Sequence, residues 1–154
     1  MALKGKILGK RVWTNIAKNA RDMYREEIFD KGKNVYGGKW WGGSYSDEYR
    51  TAKATGGIKR QAEAYKNKVT AVLTGETMKD VEGHLKVKRN GFEIGYPSMG
   101  GRVASLRRRK PRDGALTTKD KPLPDKVSKY IRNAYSKAVG KSLKPKTRVH
   151  KGKK

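Results

Sequence analysis

Positive charge is the property that most constrains how this chain can fold. The 154 residues include 39 Lys and Arg against 14 Asp and Glu, a formal net charge of +25, and only 34% of residues are hydrophobic. Self-repulsion of this size opposes a compact state, and the apolar fraction allows one domain with a modest core. We therefore expect a small folded body that relies partly on neighbouring subunits, with cationic extensions that become ordered on a partner.

The charge is concentrated in the last third of the chain. From Arg102 onward there are 19 cations and three acids, and the stretches Arg102 to Arg112 and Lys141 to Lys154 contain no acid. This density predicts a polyanion beside them, nucleic acid bound through its phosphates. The alternative is a solvated tail that only confers solubility. The candidate contact residues are Arg102, Arg107, Arg108, Arg109, Lys110, Arg112, Lys141, Lys144, Lys146, Arg148 and Lys151.

Hydrophobic periodicity predicts two long amphipathic helices. The first runs from about Ile7 to Phe29, with apolar residues at helical spacing from Trp13 to Tyr24. The second begins near Asp125, and its apolar residues from Val127 to Ala138 recur at i, i+3, i+4, i+7, i+8 and i+11. Gly140 stands where a C-terminal glycine would end this helix.

Shorter elements lie between these helices. Ser46 is a predicted N-cap for a helix through Ala54, and Thr74 for a helix that ends at Gly83. Residues 58 to 67 read as a further helical or irregular piece. Residues 97 to 124 contain four of the five prolines and no sustained periodicity, which predicts a long loop or extended arm.

The clearest β signal is the stretch from His84 to Tyr96. Asn90-Gly91 favours a two-residue type I′ hairpin, which would pair Arg89 with Phe92, Val87 with Ile94 and Leu85 with Tyr96. A hairpin alone is marginally stable, so we expect it to pack on the first helix. The predicted class is α+β: a small antiparallel sheet on a long N-terminal helix, a C-terminal helix and basic extended arms. Residues 1–140 form one domain and residues 141–154 a basic tail.

A Gly-rich aromatic stretch follows the first helix. Five of the thirteen aromatic residues lie between Tyr36 and Tyr49, with paired glycines on both sides of the two tryptophans. We interpret it as core plus subunit interface, because only Lys39 stands beside the tryptophans; stacking on bases is the alternative. The candidate interface residues are Tyr36, Trp40, Trp41 and Tyr45.

The sequence predicts no catalytic site, metal site or cofactor. Cysteine is absent, and neither His84 nor His150 has a partner at a triad or metal-ligand spacing. No Gly-rich pattern ends in Gly-Lys-Ser/Thr, so no phosphate-binding loop of that type is expected. There is no apolar stretch long enough for a signal peptide or a membrane span, and no membrane partner is expected. A small basic ribonuclease is the enzymatic alternative.

The order of landmarks resembles the virion-morphogenesis proteins of tailed bacteriophages, the tail-completion or neck (head-tail connector) components. An N-terminal helix leads to Gly38-Lys39-Trp40, then to a polar helix start at Ser46 to Lys53. Leu73-Thr74-Gly75 and Met78 follow, and then a hairpin that ends in Phe92-Glu93-Ile94-Gly95. The match covers about residues 10 to 97.

The resemblance implies a sheet packed on a long helix, copies arranged in a ring, and no enzymatic activity. The ring would join the capsid portal to the tail around the channel that DNA crosses, in a virion assembled in the host cytoplasm. The expected partners are other copies, neighbouring portal or adaptor and tail proteins, and DNA bound non-specifically through phosphates. The alternative function is a basic RNA-binding protein of ribosomal or assembly type.

Overall fold

The computed structural model describes residues 8–57, 69–71 and 75–143 of the chain. Within them there are five α-helices and a two-stranded antiparallel sheet, which gives the predicted α+β class. In chain order the elements are α1 (Lys10–Arg25), α2 (Asp47–Ala54), α3 (Glu76–Gly83), β1 (Leu85–Lys88), β2 (Gly91–Ile94), α4 (Gly100–Arg109) and α5 (Asp125–Leu143). The segment predicted as helical or irregular at residues 58–67 lies outside the described residues.

Helix α1 is the centre of the fold. Its buried residues follow the helical repeat from Trp13 to Tyr24, and a wide π-helical turn, Glu26–Asp30, extends it and buries Ile28 and Phe29 completely. The prediction of a helix ending near Phe29 is confirmed. Because α1 packs against α3, both strands and α5, most of the core is built around one side of this helix.

The hairpin packs on α1 as expected, but its predicted register is wrong. Leu85 pairs with Ile94, Val87 with Phe92, and Lys88 with Gly91, so the turn residues are Arg89 and Asn90. Neither Asn90 nor Gly91 has a positive φ, so the turn is not type I′.

Packing on α1 accounts for the observed pairing. It places Val87 opposite Phe92, both against the cluster of Trp13, and the Phe92 ring centre lies 6.3 Å from that of Trp13. The difference from the predicted register is two residues, so the same side chains still face the core.

The two short helices match their predicted positions. The Ser46 hydroxyl accepts a hydrogen bond from the Tyr49 amide at 3.3 Å, which confirms the N-cap of α2. In α3, the N-cap is Gly75 at φ 83°, so the prediction of Thr74 as N-cap is wrong. A glycine accepts this left-handed conformation without a steric cost.

Helix α4 corrects the prediction of a continuous loop over residues 97–124. Its N-terminus is held by a residue of α3: the Asp80 carboxylate accepts hydrogen bonds from the amides of Ser98 (3.0 Å) and Met99 (2.8 Å). Val103 is buried in the main core. A carboxylate from a distant element therefore supplies the N-terminal stabilisation that the local sequence lacks.

Helix α5 begins at Asp125 as predicted but does not end at Gly140. It continues to Leu143, so Lys141 belongs to the helix rather than to the tail. A glycine inside a helix costs about 1 kcal/mol. The adjacent Ala138 and Val139 pack against the cluster around Trp13, which offsets that cost.

Two polar contacts join distant parts of the chain to α1. The Tyr24 hydroxyl donates to the Leu116 carbonyl (2.8 Å) and shares a hydrogen bond with the Tyr96 hydroxyl (2.7 Å). Burial raises the pKa of Tyr24 far above its usual value. Both the exit of the hairpin and the segment after α4 are thereby fixed to the first helix.

The second contact is a buried carboxylate at the end of α1. Glu27 accepts hydrogen bonds from Lys31 (2.7 Å), Lys33 (2.9 Å) and Lys126 (3.0 Å). Burial by itself would raise the pKa of Glu27, but the three ammonium donors outweigh it and lower the pKa to about 2. Glu27 therefore ties the start of α5 to the end of α1.

Candidate nucleic-acid interface

The first basic stretch lies mostly on α4 and is fully presented to solvent. All six of its cations are exposed, and none forms an ion pair with a residue in the described part of the chain. They are Arg102, Arg107, Arg108, Arg109, Lys110 and Arg112. Because internal acids do not neutralise these charges, they are available to an external anion.

The helix geometry lowers the cost of this clustering. Arg107, Arg108 and Arg109 occupy the last turn of α4, where the C-terminal end of the helix dipole favours positive charge. Asp80 holds the opposite end, where negative charge is favoured. The arrangement keeps three like charges adjacent on an ordered element.

The cations of α4 do not form one patch. Successive residues of a helix point about 100° apart. Arg102 and Arg109 line a cleft against the aromatic stretch, together with Leu106. Arg107 lines a different groove, together with Lys119. The helix is therefore a basic ridge between two grooves.

The aromatic stretch packs directly beside this ridge. The Trp41 amide donates to the Asp113 carbonyl at 3.1 Å, and the Val35 amide donates to the Ala115 carbonyl at 2.8 Å. The ring of Trp41 lies so close to Gly114 that a Cβ there would be 2.9 Å from the ring. These contacts join two segments whose pairing could not be predicted from the sequence.

Cations in the first basic stretch, and one that follows it, also lie against aromatic rings. Lys110 Nζ is 5.6 Å from the Trp41 ring centre, and the Arg112 guanidinium is 5.9 Å from that of Tyr36. Lys121 Nζ is 5.7 Å from the same Tyr36 ring. At these distances the rings attract the cations and restrict their positions.

Trp41 has an unusual backbone conformation. Its φ is 54°, the left-handed region, and in the described part of the chain every other residue with positive φ is a glycine. For a bulky residue this conformation costs on the order of 1–3 kcal/mol. The hydrogen bond to Asp113 and the contact with Gly114 offset this cost and fix the indole beside the segment that follows α4.

The cleft between the aromatic stretch and α4 has a volume of about 300 Å³. One side carries the rings of Trp40, Trp41, Tyr45 and Tyr49, and α4 supplies the other. In the sequence only Lys39 stands beside the two tryptophans. The spacing of Arg102, Leu106 and Arg109 is the signal that would have revealed a shared helix face, had the helix been predicted.

Burial and a hydrogen bond restrict the positions of the tyrosines in the cleft. The Tyr45 hydroxyl donates to the Thr70 carbonyl at 2.6 Å, and burial raises the pKa of Tyr45 to about 12. Burial also raises the pKa of Tyr49, although the charge of Arg102 opposes this. The rings of Tyr45 and Tyr49 meet edge to face, with centres 4.8 Å apart. Tyr49 remains 38% exposed at the cleft.

The four candidate interface residues do not share one environment. Trp40 is only 3% exposed and belongs to the core, which confirms its core role and leaves little of its ring for contact with another molecule. Tyr36 is exposed, and Trp41 and Tyr45 are half-buried. These three still offer ring surface to another molecule.

The second basic stretch is only partly described. Lys141 is exposed on α5, one turn beyond Lys137 on the same face. Lys144, Lys146, Arg148 and Lys151 lie outside the described residues. The described part of the chain contains no cluster of three or more His, Asp or Glu side chains able to hold a metal ion. It also has no helix long and apolar enough to cross a membrane.

Comparison with protein-family models, curated proteins and solved structures finds no match to this chain.

Proposed function

We propose that this chain is a structural subunit of a bacteriophage head-tail connector, of the tail-completion type, which forms a ring with other copies around the DNA channel between portal and tail. Its place is the virion, and its role there is non-enzymatic. The observation that carries the proposal is the group of exposed cations on α4, none of which forms an ion pair within the described part of the chain. The sheet packed on a long helix agrees with the fold that the sequence resemblance implies.

Charge explains why such a subunit would need its partners. Copies that each carry +25 repel one another when brought together in a ring. DNA in the channel, or acidic surfaces of portal and tail proteins, would offset that repulsion. The exposed ring of Tyr36 supplies apolar surface for contacts between neighbouring copies.

Salt dependence tests the phosphate contact. If six cations meet phosphates, the slope of log K against log salt is about −5, and affinity falls roughly a thousandfold between about 50 and 200 mM salt. Native and scrambled duplexes should bind equally, because phosphate contacts carry no sequence information. Fluorescence anisotropy with both duplexes measures this.

A matched pair of variants locates the contact. Replacing Arg107, Arg108 and Arg109 by Gln should reduce the slope to about −3. Replacing Lys86, Lys88 and Arg89 of the hairpin by Gln removes the same charge and should leave the slope unchanged. Equal losses in the two variants would mean that net charge alone, rather than α4, determines binding.

Ring formation is tested separately. Mass photometry and negative-stain microscopy of the full chain, alone and with the portal protein, should show discrete rings. A chain that stays monomeric and shifts only with structured RNA would support an RNA-binding protein of ribosomal or assembly type. The cleft of aromatic rings and arginines is the observation that favours this second candidate, since structured RNA offers unpaired bases.

A further inference from the structure

We propose that the cleft between the aromatic stretch and α4 binds an unpaired base of single-stranded nucleic acid, with the adjoining phosphates on Arg102 and Arg109. This site goes beyond the connector function, which requires only the phosphates of duplex DNA. It is also separable from it, because a paired base cannot enter the cleft.

The aromatic side of the cleft supplies the stacking surface. Trp41 is half-buried and Tyr49 is 38% exposed, so part of each side chain is accessible at the cleft, while Trp40 and Tyr45 support them from the core side. Stacking of a base on an aromatic side chain is worth about 1–3 kcal/mol and depends little on which base it is.

The helical side supplies the charge in a suitable order. Arg102, Leu106 and Arg109 lie on one stripe of α4, and the two arginines are about 10 Å apart along the helix axis. The apolar Leu106 lies between them. In a single strand each sugar stands between two phosphates and carries its base to one side, so a base placed at Leu106 and the aromatic rings would leave a phosphate near each arginine.

The cleft is held in shape before any ligand arrives. Trp41 is fixed at φ 54° by its contacts with Asp113 and Gly114, and Tyr45 is fixed by its hydrogen bond to Thr70. A preformed site loses less conformational freedom on binding. This rigidity distinguishes the cleft from the exposed cations elsewhere on α4.

The cations near the aromatic rings of the cleft change the interpretation of the aromatic stretch, which the sequence favoured as a protein interface because it showed little charge there. In the sequence only Lys39 neighbours the tryptophans, whereas the structure adds Arg102 and Arg109 at the cleft and Lys110 at the Trp41 ring. A base-stacking site combines aromatic rings with a basic groove, and this cleft has both. An acidic peptide is the competing ligand and is an outcome of the test.

The test compares ligands that differ only in their bases. The full chain is titrated into a fluorescein-labelled thymidine oligomer of about ten nucleotides, into an abasic oligomer of equal length, and into a duplex. We expect the thymidine oligomer to bind roughly 5- to 100-fold more tightly than the abasic one and to quench tryptophan emission. Equal affinity for the two would overturn the proposal.

Variants of the protein provide the second comparison. Tyr49→Ala should weaken thymidine oligomer binding several-fold and leave duplex binding unchanged. The double variant Arg102→Gln/Arg109→Gln should lose more affinity for the thymidine oligomer than Arg107→Gln/Arg108→Gln, which removes equal charge from the same helix outside the cleft. The two double variants should weaken duplex binding to a similar extent.

Two results would refute the site while leaving the connector function intact. One is an equal loss of thymidine oligomer binding in both double variants, while the unaltered chain still binds duplex DNA and forms rings. The other is a decaglutamate peptide that binds as tightly as the thymidine oligomer and depends on Tyr49, which would identify a peptide-binding cleft. Loss of duplex binding and of rings in the unaltered chain would instead refute the connector function.

Discussion

Replacing Glu27 by Gln should destabilise the fold at neutral pH and much less in acid. The Glu27 side chain is only 6% exposed and accepts hydrogen bonds from three lysines. Its pKa is lowered from 4.5 to about 2, which corresponds to about 3 kcal/mol at 1.36 kcal/mol per unit. The lysines are 38–54% exposed, so water and salt screen part of this, and we expect a loss of about 1–2 kcal/mol.

The dependence of stability on pH follows from the direction in which the pKa of Glu27 is shifted. A carboxylate with a lowered pKa contributes stability that is fully present above its unfolded value of 4.5 and is lost as the pH falls through about 2. The difference between the unaltered chain and Glu27→Gln should therefore be largest at about pH 7 and shrink by more than half at about pH 3. Urea unfolding followed by circular dichroism measures the free energy of unfolding at both pH values.

The neighbouring Glu26 is the matched control. It also pairs with Lys31, at 2.6 Å, but it is 48% exposed and forms no ion pair with Lys33 or Lys126. We expect Glu26→Gln to cost less than about 0.5 kcal/mol. Equal costs for the two variants, or a cost for Glu27→Gln that does not change with pH, would refute the role given to the buried carboxylate.

Two further substitutions test how α4 is positioned. Gly114→Ala places a Cβ 2.6 Å from the Leu106 carbonyl and should lower the free energy of unfolding by about 1–3 kcal/mol. The control is Gly101→Ala, whose Cβ meets no atom within 4 Å and should not destabilise the fold. Thermal unfolding compares the two variants. Asp80→Ala removes the acceptor at the start of α4 and should cost about 0.5–2 kcal/mol with weaker duplex binding, and Asp80→Asn should fall between. An unchanged melting temperature in Asp80→Ala would mean that α4 does not depend on this carboxylate.

The regular elements could be predicted where the sequence itself carried the pattern. The apolar repeats of α1 and α5 and the N-cap at Ser46 were sufficient, because each element is stabilised by features within its own segment. The faces of the hairpin were predictable for the same reason. Its register was not, since the pairing depends on how Val87 and Phe92 fit against Trp13.

Helix α4 could not be predicted from its own residues. It opens with Gly100 and Gly101, both poor helix formers, and it offers few apolar residues to form a repeat. What stabilises it comes from elsewhere: the carboxylate of Asp80 and the burial of Val103. A contact between residues 18 or more positions apart leaves no local signal.

Only part of the candidate site could be predicted from the sequence, for a related reason. Both of its components, the aromatic stretch and the basic stretch, stand out in the sequence, but their contact does not. It depends on the left-handed conformation of Trp41 and the absence of a side chain at Gly114. Only the folded chain shows that rings and arginines share one cleft.

The central position of α1 has a consequence for how the protein is made. Helix α1 is covered in part by α5, which is synthesised much later, since Trp13 and Tyr135 stack with ring centres 5.7 Å apart. Until α5 has been synthesised, the nascent chain carries an α1 whose apolar face is partly uncovered and which chaperones would recognise. Shortened forms intended to remove the basic end must therefore retain Asp125–Leu143, and cuts before that helix should yield aggregated product.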